Sequence, residues 1–307
     1  MNSSLSPNVV KTALDKVFFQ EFNGTSNPGW GDASTASVFR QDTTDNAAVI
    51  TEVFKGTGLW GFKAELADVS SAQAKVGNQQ TFTVTEYAQS LDISKNFFDD
   101  NMHGVYEGMI RDMGQTGRIT RDSNAFAIFR NAFTTALTND AVALISDTHV
   151  TQSGATVDNK LATAAFTEIT LNDGIVMLSE QKAQDGTIRG QRAKTLVVPP
   201  KLFKLASEIL DSELRSGTAN NDMNVYSDRY GINLVTSPYL GAAAGGSDTA
   251  WFLLGENHSI TRWVRQGIIT DLVDYKFQRN NNYIYKGSFR EVVGAIDYTG
   301  IVGSLGA

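Results

Sequence analysis

The spacing of apolar residues changes several times along the chain, and each change marks a different element. In the first fifty residues Val10, Leu14, Val17 and Phe18 fall on one side of a short helix predicted over residues 9–22. The stretch Asn23-Gly-Thr-Ser-Asn-Pro-Gly-Trp-Gly31 is too rich in turn formers to hold regular structure. Residues 1–50 therefore read as an arm ordered by whatever it lies on, or as a frayed terminus. From Glu52 to Ile93 a period of two takes over. Residues 81–93 alternate well enough for a long strand, with an opposing strand expected around 61–69 and a polar tip over 70–78. An isolated two-stranded ribbon is marginal in water, so this excursion is expected to lie on a partner.

Helical spacing returns after Ser94, which is placed to cap a helix opening at Lys95-Asn-Phe-Phe-Asp-Asp. Residues 104–136 then predict a rod of about 50 Å at about 1.5 Å per residue. Val105, Met109 and Met113 share a face that Phe126, Phe129 and Phe133 continue, and the stripe reads as core. Gly114 and Gly117 mark a bend or a close packing. After a loop-rich crossing over 138–165, a helix over 171–182 buries Leu171, Ile175 and Leu178, with Thr170 and Asp173 at capping-box spacing.

The best-formed signal follows. Leu196-Val-Val predicts a strand covered on both faces, Pro200 suits a first helical turn, and Leu202, Ala206, Ile209 and Leu210 form one face of a helix. Residues 216–224 are polar and turn-rich. A strand over 232–236, a hairpin-like loop over 241–247 and a buried strand over 251–254 come next. Residues 260–264, 270–278 and 283–293 complete the chain as strands, with Asn280-Asn-Asn as a turn. Helices in the middle and strands at the end predict an α+β chain whose N- and C-terminal parts share one sheet.

Composition narrows the chemistry. The 307 residues suffice for two compact lobes or one large domain. The absence of cysteine excludes disulfides, thiolate metal sites and a cysteine nucleophile. A net charge of −7, from 26 basic and 33 acidic residues, argues against a sequence-reading nucleic-acid binder. No apolar run is long enough for a membrane span, and the polar first residues lack a signal pattern, so synthesis in the cytoplasm is expected. His103, His149 and His258 share no metal-ligand spacing and read as surface or satisfied histidines. There is no Gly-x-Ser-x-Gly elbow and no phosphate-binding loop. Asp99-Asp100 falls near a helix start, where carboxylates favour the dipole. Arg262, Arg265, Arg279 and Arg290 are spread along the final strands without interleaved aromatics, which favours pairing with acids on a neighbour over binding phosphate. No catalytic residue, cofactor-binding residue or metal ligand is singled out.

Four stretches, in this order, carry a resemblance. They are Leu91-Asp-Ile-Ser-Lys-Asn-Phe-Phe-Asp-Asp with the long helix after it; His149 with Ser153-Gly-Ala-Thr-Val-Asp-Asn-Lys-Leu-Ala162; Leu196-Val-Val-Pro-Pro with its helix and Ser216-Gly-Thr-Ala-Asn-Asn-Asp-Met-Asn-Val225; and Leu234-Val-Thr-Ser-Pro-Tyr-Leu240 leading to Trp251-Phe-Leu-Leu254. Together they resemble the major capsid (major head) proteins of tailed bacteriophages, with the Hong-Kong-97-like fold, and among these the Mu-type major head subunits. The resemblance implies an N-terminal arm (1–50), an extended β-hairpin loop (51–93), a peripheral domain with a long spine helix (94–161 and 256–307) and an axial domain (162–255). It implies a virion protein that is not an enzyme and takes no cofactor. Its partners would be copies of itself, as hexamers and pentamers in an icosahedral shell, with scaffold, portal and decoration proteins beside them and no membrane. Double-stranded DNA would be enclosed by non-specific contact only, which suits a negatively charged wall. A separate scaffold, or a trimmed terminus, is implied because the chain starts at once with the arm. Some family members form a Lys–Asn isopeptide bond. Lys63 and Lys75 lie in the loop, but no partner Asn or catalytic acid stands out, so that bond is not expected here. An encapsulin-like bacterial nanocompartment shell is the alternative on the same fold. A hydrolase or sugar-binding protein would need a pocket of converging polar groups, which the sequence does not offer.

Overall fold

In the computed structural model, which describes residues 7–24, 37–54, 56–69, 71, 76–96, 103–212, 226, 230–274, 276, 278 and 282–307, the chain opens with helix α1 (Pro7–Phe22). Its helical apolar spacing buries Leu14, Phe18 and Phe22 against Tyr106, Ile110 and Met113 of the long helix α2 (His103–Arg130). The approach is close because Gly114 has no side chain: a Cβ there would stand 2.7 Å from the Phe18 carbonyl oxygen. Gly114 and Gly117 thus mark close packing, not a bend. Asp15 accepts hydrogen bonds from the Thr270 and Tyr285 hydroxyls, both at 2.8 Å, and Arg111 meets Glu21 at 3.1 Å. The surface that orders residues 7–22 belongs to the same chain. Val38 and Phe39 are likewise buried, Phe39 edge-on to Phe126 with ring centroids 5.2 Å apart.

Four strands surround the excursion: β1 (Arg40–Thr43), β2 (Ala48–Phe54), β3 (Val76–Thr83) and β4 (Thr85–Ser94). After α2 come the short ribbon β5 (His149–Val150) and β6 (Thr156–Val157), helix α3 (Glu168–Ser179), strand β7 (Ala193–Val198), helix α4 (Phe203–Asp211) and strand β8 (Asn233–Thr236). Strands β9 (Trp251–Gly255), β10 (Ile260–Val273), β11 (Asn282–Ala295) and β12 (Ile301–Ser304) close the chain. They build two four-stranded sheets, β1-β10-β11-β4 and β12-β9-β7-β8. In the first, early and late strands pair as the sequence predicts.

The second sheet is buried on both faces. Successive side chains of a strand point to opposite sides. Leu196, Val198, Trp251, Leu253 and Val302 therefore pack with Leu171 and Leu178 of α3 and Ala206 and Leu210 of α4. Val197, Phe252, Leu254 and Ile301 pack with Phe126 and Phe129 at the end of α2. The strand-to-helix stretch predicted around Leu196 is the middle of this sheet, and Pro200 opens a single 3-10 turn before α4.

Several elements differ from expectation. Residues 61–69 form no strand, and the partner of β3 is β2. The strand expected over 81–93 breaks at Val84, whose N–H bonds the Ala47 carbonyl at 3.0 Å, so β3 pairs within the excursion and β4 pairs with β11. Helix α2 stops at Arg130, short of Ala136, and is about 42 Å long at about 1.5 Å per residue. Val105 and Met109 are exposed, because the α1 side of α2 is taken by Tyr106, Ile110 and Met113. Thr167 caps α3 in a reciprocal pair with Thr170, displacing the expected Thr170–Asp173 box. Strands β8 and β9 are no hairpin: they flank β7 on opposite sides, β8 parallel and β9 antiparallel. Strand β10 joins the expected strand over 260–264 to the start of the one over 270–278 and ends at Val273, with irregular register between Val264 and Ile269. Strand β12 has no counterpart in the sequence prediction, and it joins β9 rather than the long sheet. Lys95 and Asn96 are helical, while 97–100, with Asp99-Asp100, lie outside the described residues, as do 216–224 and 279–281. Among the described residues no helix is long and apolar enough to cross a membrane.

Candidate assembly surface

The titratable groups that the fold buries are spent on structure. His149 is buried, with Nδ1 2.7 Å from the Asp140 carboxylate and Nε2 3.3 Å from the Leu144 carbonyl, and its ring stacks on Tyr298 at 4.3 Å. Burial works against the charge on Asp140, but hydrogen bonds from His149, Thr138 and Val142 outweigh it and hold the carboxyl below its ordinary range. His258 is buried with Nδ1 unpartnered. Burial, then the Arg40 and Lys194 charges, lower its pKa to about 4 against a bond to the Ser37 backbone. Both are histidines of the core, and the side chain of His103 lies outside the description. Among the described residues no three His, Asp or Glu side chains stand together as a metal cage.

The arginines are also committed internally. Arg262 grips Glu291 through Nε at 2.8 Å and Nη2 at 2.5 Å and reaches Gln41 at 3.0 Å. Arg290 lies 3.6 Å from Glu86. The expected pairing of Arg262 and Arg290 with acids on a neighbour is therefore replaced by pairing across adjacent strands. Arg265 is half-buried, and Arg279 lies outside the described residues.

Among the described residues the most exposed large apolar side chains sit on the excursion between β1 and β4. Strands β2 and β3 form a ribbon with Ala48 opposite Thr83 and Phe54 opposite Val76. At its base Phe82 stacks on Trp263 at 4.9 Å, in space that only a glycine at 294 leaves open: a Cβ there would come within 2.2 Å of the Phe82 ring. Gln80 Nε2 donates to the Leu137 carbonyl at 2.7 Å. Farther out, Ile50, Phe54 and Val76 are more than half exposed. Beyond them Leu59, Trp60, Phe62, Leu66 and Val69 are 86, 98, 98, 98 and 77% exposed. Covering side chains of this size is worth about 1.5–3 kcal/mol each, so five of them left bare within residues 59–69 make this segment the candidate surface.

The segment leading to the expected polar tip is thus rich in exposed apolar side chains, where an opposing strand was expected. Residues 76–78 of that tip belong to β3, and 70 and 72–75 lie outside the described residues, Lys75 among them. A signal for this was present in the sequence. Gly56, Gly58 and Gly61 punctuate the run, and Leu59-Trp60 are adjacent, a pattern that fits a half-buried strand poorly. Lys63 is exposed in the same segment.

Comparison with known proteins follows the fold. A virus-like particle from Pyrococcus furiosus shares 10% identity over 95% of this chain and 98% of that one, with a TM-score of 0.56. The capsid of the cyanophage P-SCSP1u shares 13% over 92% and 91%, also at 0.56. The capsid of the empty GTA particle shares 11% over 91% and 93%, at 0.52. At these identities the likeness is one of fold, the Hong-Kong-97-like α+β capsid fold. No curated protein sequence matches the chain. A family model described as phage capsid protein matches residues 77–304. With that span covering most of its length, and with a fold shared by solved capsids, the chain belongs to the phage capsid protein family and is a structural capsid protein.

Proposed function

We propose that the chain is the major capsid subunit of a tailed phage, assembling as hexamers and pentamers into an icosahedral head around double-stranded DNA. The observation that carries this reading is the bare 59–69 segment between the two strands of the ribbon. A second copy of the chain is its cover: the family is one of capsid proteins, and a shell repeats one contact between identical subunits. The body is read as α1, β1, β4, α2, β10 and β11, with α2 as the spine. The inserted lobe of 162–255, closed by β12, is read as the axial domain, and the extended loop as 44–84, narrower at its end than 51–93. The net charge of −7 supports DNA held by non-specific contact only. Scaffold, portal and decoration proteins are the further partners of such a virion component, made in the host cytoplasm. The reading assigns it no catalytic step, cofactor or membrane.

Expressed with a scaffold across a range of salt concentrations, the chain is expected to form closed shells visible by electron microscopy, and particles from infected cells are expected to hold double-stranded DNA. Soluble monomers under every condition would overturn the reading. Shells loaded with an enzyme and free of nucleic acid would identify the encapsulin-like nanocompartment instead.

A further inference from the structure

The ribbon that carries the bare segment also touches its own subunit at its outer end, away from the Phe82–Trp263 stack and the Gln80–Leu137 bond at its base. Asp185 lies in the turn closed by Ala183 N–H to the Thr187 carbonyl at 2.9 Å and Gly186 N–H to the Ala183 carbonyl at 2.8 Å. Its Oδ1 accepts from the Thr187 N–H at 3.0 Å and the Thr187 hydroxyl at 2.6 Å, and its Oδ2 accepts from Arg189 Nη2 at 2.6 Å. A further hydrogen bond reaches it from the excursion, donated by the backbone N–H of Gly58. Burial works against the Asp185 charge, but these donors and the Arg189 charge outweigh it and hold the carboxyl below its ordinary range.

The excursion is shaped to this turn. Gly56 and Gly58 have φ of +75° and +72°, a region in which glycine pays no Cβ penalty. A Cβ on Gly56 would stand 3.1 Å from Asp185 Oδ2 and 3.4 Å from Arg189 Nη2. On the facing strand, a Cβ on Gly77 would stand 2.6 Å from Gln152 Nε2. The junction continues into the body. The Gln152 and Ser153 N–H groups bond the Gln184 side chain and carbonyl at 3.1 and 3.2 Å, and the Gln184 amide donates to Asp297 at 3.0 Å.

We propose that the Asp185–Arg189 turn is a catch that fixes the angle at which the ribbon presents residues 59–69 to the next subunit. Attachment at the base alone, through Phe82 on Trp263 and Gln80 on Leu137, leaves the outer end of a two-stranded ribbon free to swing. The second attachment, at Gly56 and Gly58, removes that freedom. Residues 59–69 remain bare with the catch made, so it orients them and does not hide them. A segment fixed in its docking position before contact loses less freedom on binding. The consequence for assembly rests on the reading of 59–69 as the contact between subunits, whereas the catch itself belongs to the single subunit.

Lys63 is exposed with the catch made, so the rate of trypsin cleavage after it, measured on soluble subunits, reads how freely the segment moves to fit the protease rather than its exposure, and does so without any assembly. Asp185→Asn opens it from the turn, and Gly56→Ala opens it from the excursion while leaving the turn intact. Each is expected to raise the cleavage rate at least about tenfold, the effect of losing one charge-assisted hydrogen bond. The near-UV circular dichroism of the body is expected to stay unchanged in both, and its melting temperature in Gly56→Ala, while Asp185→Asn, which also loses its ion pair with Arg189, lowers the melting temperature slightly. The double variant is expected to be cleaved no faster than the faster single one, because both changes break the same contact. Unchanged cleavage in both single variants overturns the catch, and so does a multiplied effect in the double variant or a rise accompanied by cleavage throughout the body. Under shell-forming conditions both variants are expected to assemble several-fold more slowly. If the parent subunit never assembles, the capsid reading fails while the trypsin result still decides the catch.

Discussion

Gly108 and Gly114 lie on the same helix, yet a methyl group at each meets different surroundings. At Gly108, exposed, a Cβ meets nothing within 4 Å; at Gly114 it meets the Phe18 carbonyl at 2.7 Å. Gly108→Ala is therefore expected to raise stability by about 0.5–1 kcal/mol through the unfolded chain and helix propensity. Gly114→Ala is expected to lower it by about 1–3 kcal/mol by forcing α1 off α2. Opposite shifts of the urea midpoint would check the pair, and a gain in both variants would refute the close packing. His258 makes a residue-level prediction in pH. Its folded pKa of about 4 lies below the ordinary 6.5, so the unfolded chain binds more protons between those values. The stability contributed by the neutral ring is complete above pH 6.5 and is lost as pH falls toward 4, by an amount on the order of 3 kcal/mol. His258→Gln, which retains a side-chain N–H donor for the Ser37 backbone, is expected to lose less melting temperature than the parent between pH 7 and 4.5. Parallel losses in the two proteins would remove His258 as the source.

At the scale of elements, what the sequence made legible was local. Leu196-Val-Val-Pro-Pro and the helix after it carry strand, turn and helix within nearest-neighbour reach, and β7 and α4 lie where the pattern puts them. Pairing was not legible, because it depends on residues far apart. Nothing in residues 76–83 says that β2 lies opposite, and Val84 diverts the chain from the ribbon to the long sheet only because β11 is there to receive β4. Likewise β12 is four residues long, and its assignment depends on β9. The candidate surface was legible as an excursion in search of a partner, but its exposed apolar run was not, since a run containing Leu59, Trp60 and Phe62 has apolar content whether it forms a strand or a bare loop. That element carries its own test. Trp60→Ser combined with Phe62→Ser removes two fully exposed rings, so the soluble subunit is expected to keep its far-UV spectrum and its stability within about 0.5 kcal/mol. Shell yield by sedimentation is expected to fall at least tenfold, as anchors of this kind dominate interfaces. Shells at parental yield would mean that the contact lies elsewhere.

At the scale of the whole molecule, the sheet β12-β9-β7-β8 is a wall shared by two cores. Ile301 and Val302 are neighbours on one strand and both are buried, yet the first packs with Phe126 and Phe129 of α2 and the second with α3 and α4. If the body and the inserted lobe were independent, a cavity on one side of the wall would soften that side alone. Because β7, β9 and β12 supply side chains to both cores, a cavity on either side loosens the strands on which the other core rests. Ile301→Ala and Val302→Ala are each expected to cost about 2–4 kcal/mol. Both are expected to move the same calorimetric transition, with no shoulder appearing in either variant. Two resolved transitions, with Val302→Ala lowering only one, would show that the lobes unfold as separate cooperative units. Strand β12 follows β11 in the chain and pairs with β9 of the lobe, while the sheet of β11 holds the base of the excursion through Trp263, so the lobe and the base of the ribbon are joined through neighbouring strands.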